Sequence, residues 1–179
     1  MNYLKISLVL LALFAPFPAT AKNNSFEVTV AIVDIQTIWE HSLAMQDIRK
    51  SIDAISNNIE KEMSAKEQEL KKIEDDIIKK RGTIDETSFA NEVNLFNKKI
   101  NDAHSSVQDK KARLEQAHSK AVAVVHDTTI EIITALSGIR GFNMVLPSSQ
   151  VVYAHSSLDI TEDVIKQLNE RLKKVKVSF

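Results

Sequence analysis

The chain has five histidines, His41, His104, His118, His126 and His155, and imidazole is the side chain best suited to metal ligation or proton transfer near neutral pH. His104 and His118 lie two heptads apart in a stretch read as helix, about 21 Å along its axis. One ion needs ligands a single turn apart, so they are read as solvated surface histidines. Glu74, Asp75 and Asp76 form an acidic run followed by Lys79, Lys80 and Arg81. Carboxylates become acid–base catalysts only where a pocket shifts their pKa. Here the run reads as a solvated helix end whose cations complement the negative C-terminal dipole. No stretch matches the phosphate-binding G-x-x-x-x-G-K-[ST], the nucleophile elbow G-x-S-x-G or the metal-binding H-E-x-x-H. The chain has no cysteine, which removes thiol catalysis, thiolate metal sites and disulfides. The expectation is a protein that is not an enzyme, with no cofactor and no metal.

The elements around these residues are mostly long helices. Glycine and proline are scarce, and neither occurs between Gly82 and Gly138. Met45, Ile48, Ile52, Ile55 and Ile59 alternate steps of three and four and form one apolar seam. Met63, Leu70, Ile73 and Ile77 continue it after a shift of register, and Lys66 takes the seat between Met63 and Leu70. Lys79-Lys80-Arg81-Gly82 ends this helix, with Gly82 suited to a left-handed cap. A short connector from Thr83 to Ser88 follows. Thr83 with Glu86 has capping-box spacing, and Asp85 is a second candidate N-cap. The next helix places Phe89, Val93, Phe96, Ile100, Ala103, Val107, Lys110, Leu114, Ala117, Ala121, Val124, Thr128 and Glu131 on strict heptad seats. Two such helices on a short connector predict an antiparallel coiled-coil hairpin reaching on the order of 60 Å.

The ends of the chain read differently. Lys5, the apolar run Ile6 to Phe14 and the Ala19-Thr20-Ala21 site have the layout of a secretory signal peptide over residues 1–21, cleaved after Ala21. The apolar run is too short to span a membrane, which needs about 20 residues, and no later stretch is expected to span either. Loss of Lys5 takes the net charge from −1 to about −2, so no whole-surface attraction to nucleic acid is expected. Glu27 to Asp34 alternates β-branched residues and predicts a buried strand; Phe142–Leu146 and Val151–Ala154 predict a hairpin around Pro147. Ile130–Ile139 turns apolar on more than one face, as a helix entering a core does. Thr161 opens a last helix, expected to run to about Lys174 and to dock on the sheet. Trp39 reads as a core anchor.

The expected fold is mainly α: a long helical-hairpin arm, residues 46–124, inserted in a small α/β body with a three-stranded sheet, residues 22–45 plus 125–179. A body that small with an open sheet edge is marginal alone and calls for self-association.

VAIVDIQTIWEHS near the start and FNMVLPSSQVVYAHSSLDITEDVIKQLNERL at the end resemble the opening and closing segments of the Skp/OmpH family of periplasmic chaperones. The long hairpin between them is similar too, so the resemblance covers essentially the whole chain after residue 21. It implies a homotrimer in the periplasm whose arms enclose a cavity and hold unfolded outer-membrane proteins without ATP. It implies no nucleic-acid partner. Members of the family are often strongly basic, whereas this chain is slightly acidic, and no lipopolysaccharide site is carried over. Within that reading Met63, Phe89 and Phe96 are candidate client contacts. Lys79, Lys80 and Arg81 are candidates for clients or for weak contact with anionic membrane lipids. A structural coiled-coil adaptor of the cell envelope is the competing reading.

Overall fold

The computed structural model describes residues 27–179. The expected signal peptide and its cleavage site lie outside the described residues. The elements in order are β1 (Val30–Val33), α1 (Ile35–His41), α2 (Leu43–Lys80), α3 (Glu86–Arg140), β2 (Met144–Pro147) and α4 (Thr161–Arg171), with single 3₁₀ turns at Ser148–Gln150 and Ser156–Leu158.

The first helical stretch divides at Ser42 into α1 and α2. Ser42 is buried, its backbone is extended, and its hydroxyl accepts from the Met45 N–H at 3.3 Å, so it caps α2. Asn169 of α4 holds the break open. Its Oδ1 accepts from Leu43 N–H at 2.8 Å and its amide donates to His41 O at 3.3 Å. α2 and α3 then form the antiparallel hairpin. Gly82 takes a φ of 82° just past α2, a left-handed value that glycine, lacking a Cβ, adopts without strain. Of the two candidate N-caps for α3, Asp85 serves: its carboxylate accepts from Ser88 N–H at 2.9 Å, whereas the Thr83 hydroxyl donates back to Lys80 O. Gly138 lies within α3 and Gly141, with φ 77°, caps it.

The sheet corrects the expected architecture. β1 pairs with β2 in parallel, Val30 opposite Met144 through Val33 opposite Pro147, so the whole arm is the crossover between them. Val151–Ala154 is not a strand and forms no β-hairpin with β2. Pro147 ends β2 and the 3₁₀ turn at Ser148–Gln150 follows at once, so the chain never folds back beside β2. The other flank of β1 carries a single parallel bridge, Ile32 to Asp159, with Ile160 N–H donating to Ile32 O at 2.9 Å. Asn143 fixes the register at the outer end: its side chain accepts from Thr29 N–H at 3.0 Å and donates to Glu27 O at 2.7 Å.

The core joins Ala31 and Val33 of β1, Ile38 of α1, Met45 and Ile48 of α2, Ile132 and Leu136 of α3, and Val164 and Leu168 of α4, with Trp39 packed half-buried against it. Strict heptads fail where α3 enters this core. Ala117 and Ala121 are buried as expected, but the buried face then runs through Val125, Thr129, Ile132 and Leu136, and Val124 is exposed. Three successive four-residue steps, Ala117 to Thr129, interrupt the 4,3 alternation and shift the buried face before Ile132 and Leu136 resume it, which keeps a straight helix on a broad core instead of a narrow seam. By length and composition alone α3 also holds an 18-residue window apolar enough to cross a membrane, contrary to expectation. Part of that apolar surface is core, and part, at Val124, Ile130 and Ile139, is exposed. α4 ends at Arg171, and Leu172–Phe179 leaves it as a tail without regular secondary structure.

Candidate client-binding arm

Side chains facing across the hairpin set its register. Lys80 meets Glu92 at 2.7 Å near the tip, Lys99 meets Glu69 at 3.9 Å lower down, and Lys110 pairs with Glu62 lower still. The lysines that thin the seam are therefore both satisfied. Lys110 bridges to the opposite helix, and Lys66 pairs with Glu69 at 2.7 Å one turn along its own helix. That contact, chiefly the Lys66 hydrogen bond and then its charge, holds the Glu69 carboxyl below its ordinary pKa.

Between these pairs the helices leave a cleft of about 380 Å³, lined by Met63, Leu70, Ile100, Ala103 and Val107, with Lys66 and Lys110 among its walls. Its cause is legible residue by residue. Lys66 turns its cation to Glu69 where the seam needs an apolar filler, and Ala103 in the opposite wall is small. A void at an apolar seam costs packing and leaves a surface that an apolar group from elsewhere can fill.

The structure spreads the sequence-predicted contacts over two levels. Lys79, Lys80 and Arg81 end α2 at the tip, and Phe89 begins α3 just across the connector, half-buried. Lys79 meets Asp76 at 3.4 Å, so of the three cations Lys79 and Lys80 both have carboxylate partners. Phe96 is half-buried on the seam below the tip. Met63 lies in the cleft, well down the arm from the others.

Two residues were missed by the sequence reading. Ile78 is 62% exposed and Leu95 57% exposed. The Lys80–Glu92 pair places them at nearly the same height on facing helices. The available signal was position. Each sits next to a seam residue, Ile77 or Phe96, on a face otherwise given to charged and amide side chains. An apolar residue off the seam of a solvated helix has no partner within the hairpin.

A second exposed apolar group belongs to the body. Val152 is fully exposed and Tyr153 is 85% exposed, in the segment expected as a strand, and Met144 of β2 and Ile139 of α3 are exposed nearby in sequence. Among the described residues no group of three His, Asp or Glu side chains lies close enough to hold a metal ion.

A family described as "Outer membrane protein (OmpH-like)" matches residues 29–168, from the start of β1 into α4. The chain belongs to the OmpH-like family. The solved structure of an OmpH-like protein from Caulobacter crescentus CB15, assigned as an outer membrane chaperone, has the same fold with a TM-score of 0.77 at 19% identity. The alignment covers 84% of this chain and 89% of that one. Among curated proteins nothing matches the chain. Membership in the OmpH-like family gives a physical reading to the Asp-Ile-Thr stretch that carried the sequence resemblance: Asp159 bridges β1, Ile160 is buried in the core, and Thr161 starts α4.

Proposed function

We propose that this OmpH-like protein is an ATP-independent holding chaperone of the periplasm. In this reading it binds unfolded outer-membrane proteins between the arms of a homotrimer. The observation that carries the proposal is the pair Ile78 and Leu95. They are large apolar side chains held in solvent near the end of a long arm whose own seam is already closed around Ile77 and Phe96. An unfolded outer-membrane barrel exposes alternating apolar residues, which such side chains and the Met63 cleft would meet. Each contact is weak and separately reversible. Several arms acting together hold by avidity, and no nucleotide is needed for release.

In this proposal the arm is 46–124 and the body 22–45 plus 125–179. Trimerisation would cover Val152, Tyr153 and Ile139 and pair the edge of β2 that the described residues leave open. Met63, Phe89 and Phe96 act from the seam as the arms flex. Lys79, Lys80 and Arg81 play the smaller part, because two of them already have carboxylate partners. A tip cation near an anionic membrane contributes only about 1 kcal/mol.

The test is to dilute a urea-unfolded outer-membrane barrel into buffer with and without the chain from Lys22 to Phe179, with no nucleotide, and follow light scattering. Suppression saturating at about three chains per client supports the trimeric holdase. Unchanged scattering from folded protein rejects it and favours the structural adaptor.

A further inference from the structure

Beyond α4 the chain continues as Leu172-Lys-Lys-Val175-Lys-Val177-Ser-Phe179, outside the family match that ends at residue 168. From Val175 onward the apolar residues fall on every second position. Val175 is buried in the core cluster with Met45, Ile48 and Ala121, and Leu172 and Val177 pack against that cluster. Lys173, Lys174 and Lys176 are exposed. The Val175 N–H donates to the Asp47 carboxylate of α2 at 3.3 Å, and the Arg113 guanidinium of α3 lies over the Phe179 ring at 4.8 Å. The tail thus runs as a strap from the body onto both helices of the arm.

We propose that the tail is a built-in stand-in for client, seated in a groove that accepts a β-strand from an unfolded outer-membrane barrel; this rests on the holding function proposed above. Three observations carry it. The occupant is neither helix nor turn from Val175 onward and alternates apolar with polar residues, the pattern of a transmembrane barrel strand. The groove recognises it by means that do not depend on one sequence: a carboxylate for a main-chain N–H, an apolar floor for alternate side chains, and a guanidinium for an aromatic ring. The outer end is the less buried one, since Phe179 keeps 39% of its surface in solvent while Val175 keeps 8%. Incoming client would displace the strap from its Phe179 end toward Val175. A strap that holds the groove nine-tenths of the time weakens apparent binding about tenfold.

The probe is a fluorescein-labelled peptide copying residues 172–179, with a control of the same composition whose alternation is destroyed. Fluorescence anisotropy is read on the full mature chain, on V177D/F179D, and on V177D/F179D carrying D47A. The expected result is binding to V177D/F179D with a Kd about tenfold lower than to the unaltered chain. D47A should weaken that binding, and the control peptide should bind none of the three. Equal binding to strapped and released proteins, no binding to either, or equal binding of the control overturns the proposal. If circular dichroism shows that the double variant loses helix, Phe179→Ala alone, at a partly exposed site, must shift binding in the same direction. The holding assay on the same proteins separates the two readings. Suppression by the unaltered chain without peptide binding to V177D/F179D overturns the strap alone. Peptide binding without suppression by any variant overturns the holding function, and with it the assignment of the groove to clients.

Discussion

The hydroxyl of Thr161 accepts the main-chain N–H of Asp34 at 2.8 Å across 127 residues of sequence, while donating to the Asp159 carboxylate at 2.5 Å. One side chain therefore ties the end of β1 to the start of α4. Thr161 is buried, and the same Asp159 carboxylate also accepts its N–H at 2.8 Å. Thr161→Val keeps the shape but loses both roles of the hydroxyl. It should destabilise the protein by about 1–3 kcal/mol in urea unfolding, and Thr161→Ser should recover most of that.

The body core and the exposed body surface should separate cleanly by mutation. Ile132 is fully buried, and Ile132→Ala should cost about 2–5 kcal/mol of stability. Ile139 is 78% exposed. Ile139→Asp and Val152→Asp should leave the helical signal intact but lower the mass seen by sedimentation, because they place charge where neighbouring copies are proposed to meet. A wild-type mass in both would reject that interface.

Holding should depend on the off-seam pair. Ile78→Asp with Leu95→Asp removes exposed apolar surface without opening the seam, so thermal stability should stay within about 0.5 kcal/mol, the usual range for surface changes. Suppression of client aggregation should fall several-fold in the light-scattering assay. Full suppression by the double variant would move the client contact to the cleft.

The cleft predicts a trade between arm order and capacity. Lys66→Leu supplies the missing seam residue. Hydrogen exchange should slow around residues 60–70 and 100–110, because local protection follows apolar contact. Glu69, losing its hydrogen bond and charge partner, should titrate closer to an ordinary glutamate by NMR.

Acid should loosen the arm tip first. Hydrogen bonds from the Ser88 hydroxyl, then from the Ser88 N–H, hold the Asp85 carboxyl below its ordinary pKa. A depressed native value means the cap's contribution is complete above the unfolded pKa, about 4, and is lost as pH falls through the lower native value. Exchange at the start of α3 should therefore accelerate on acidification below that point. In Asp85→Asn, which caps without ionising, that dependence should vanish.

The arm was more legible in the sequence than the body, for a physical reason. A hairpin is built from local periodicity, and Met45 through Ile77 and Phe89 through Ala121 carry it openly. The body is built from pairings between distant residues, and propensity does not report them. Val151–Ala154 has the β-branched and aromatic content of a strand, yet among the described residues nothing pairs with it. Asp159, with no strand signal around it, bridges β1. Ser42 breaks a helix that apolar spacing alone would continue, because its cap and the Asn169 clasp belong to tertiary structure. Of the candidate contacts, the seam residues were found by period. Ile78 and Leu95 escaped because they break the period, which is what leaves them in solvent.

The parallel pairing of β1 with β2 also sets an order of events in time. Val30 must wait for Met144, and most of what lies between them is helix that can form from neighbouring residues. Local contacts form fast and distant ones late, so the arm should assemble while the body is still unclosed. A chain emerging from its N-terminus exposes β1 first and completes its sheet only when nearly all the rest has followed. Through that interval the newborn protein carries a bare apolar strand of its own, and for that time it is the same kind of chain that its finished copies are proposed to hold.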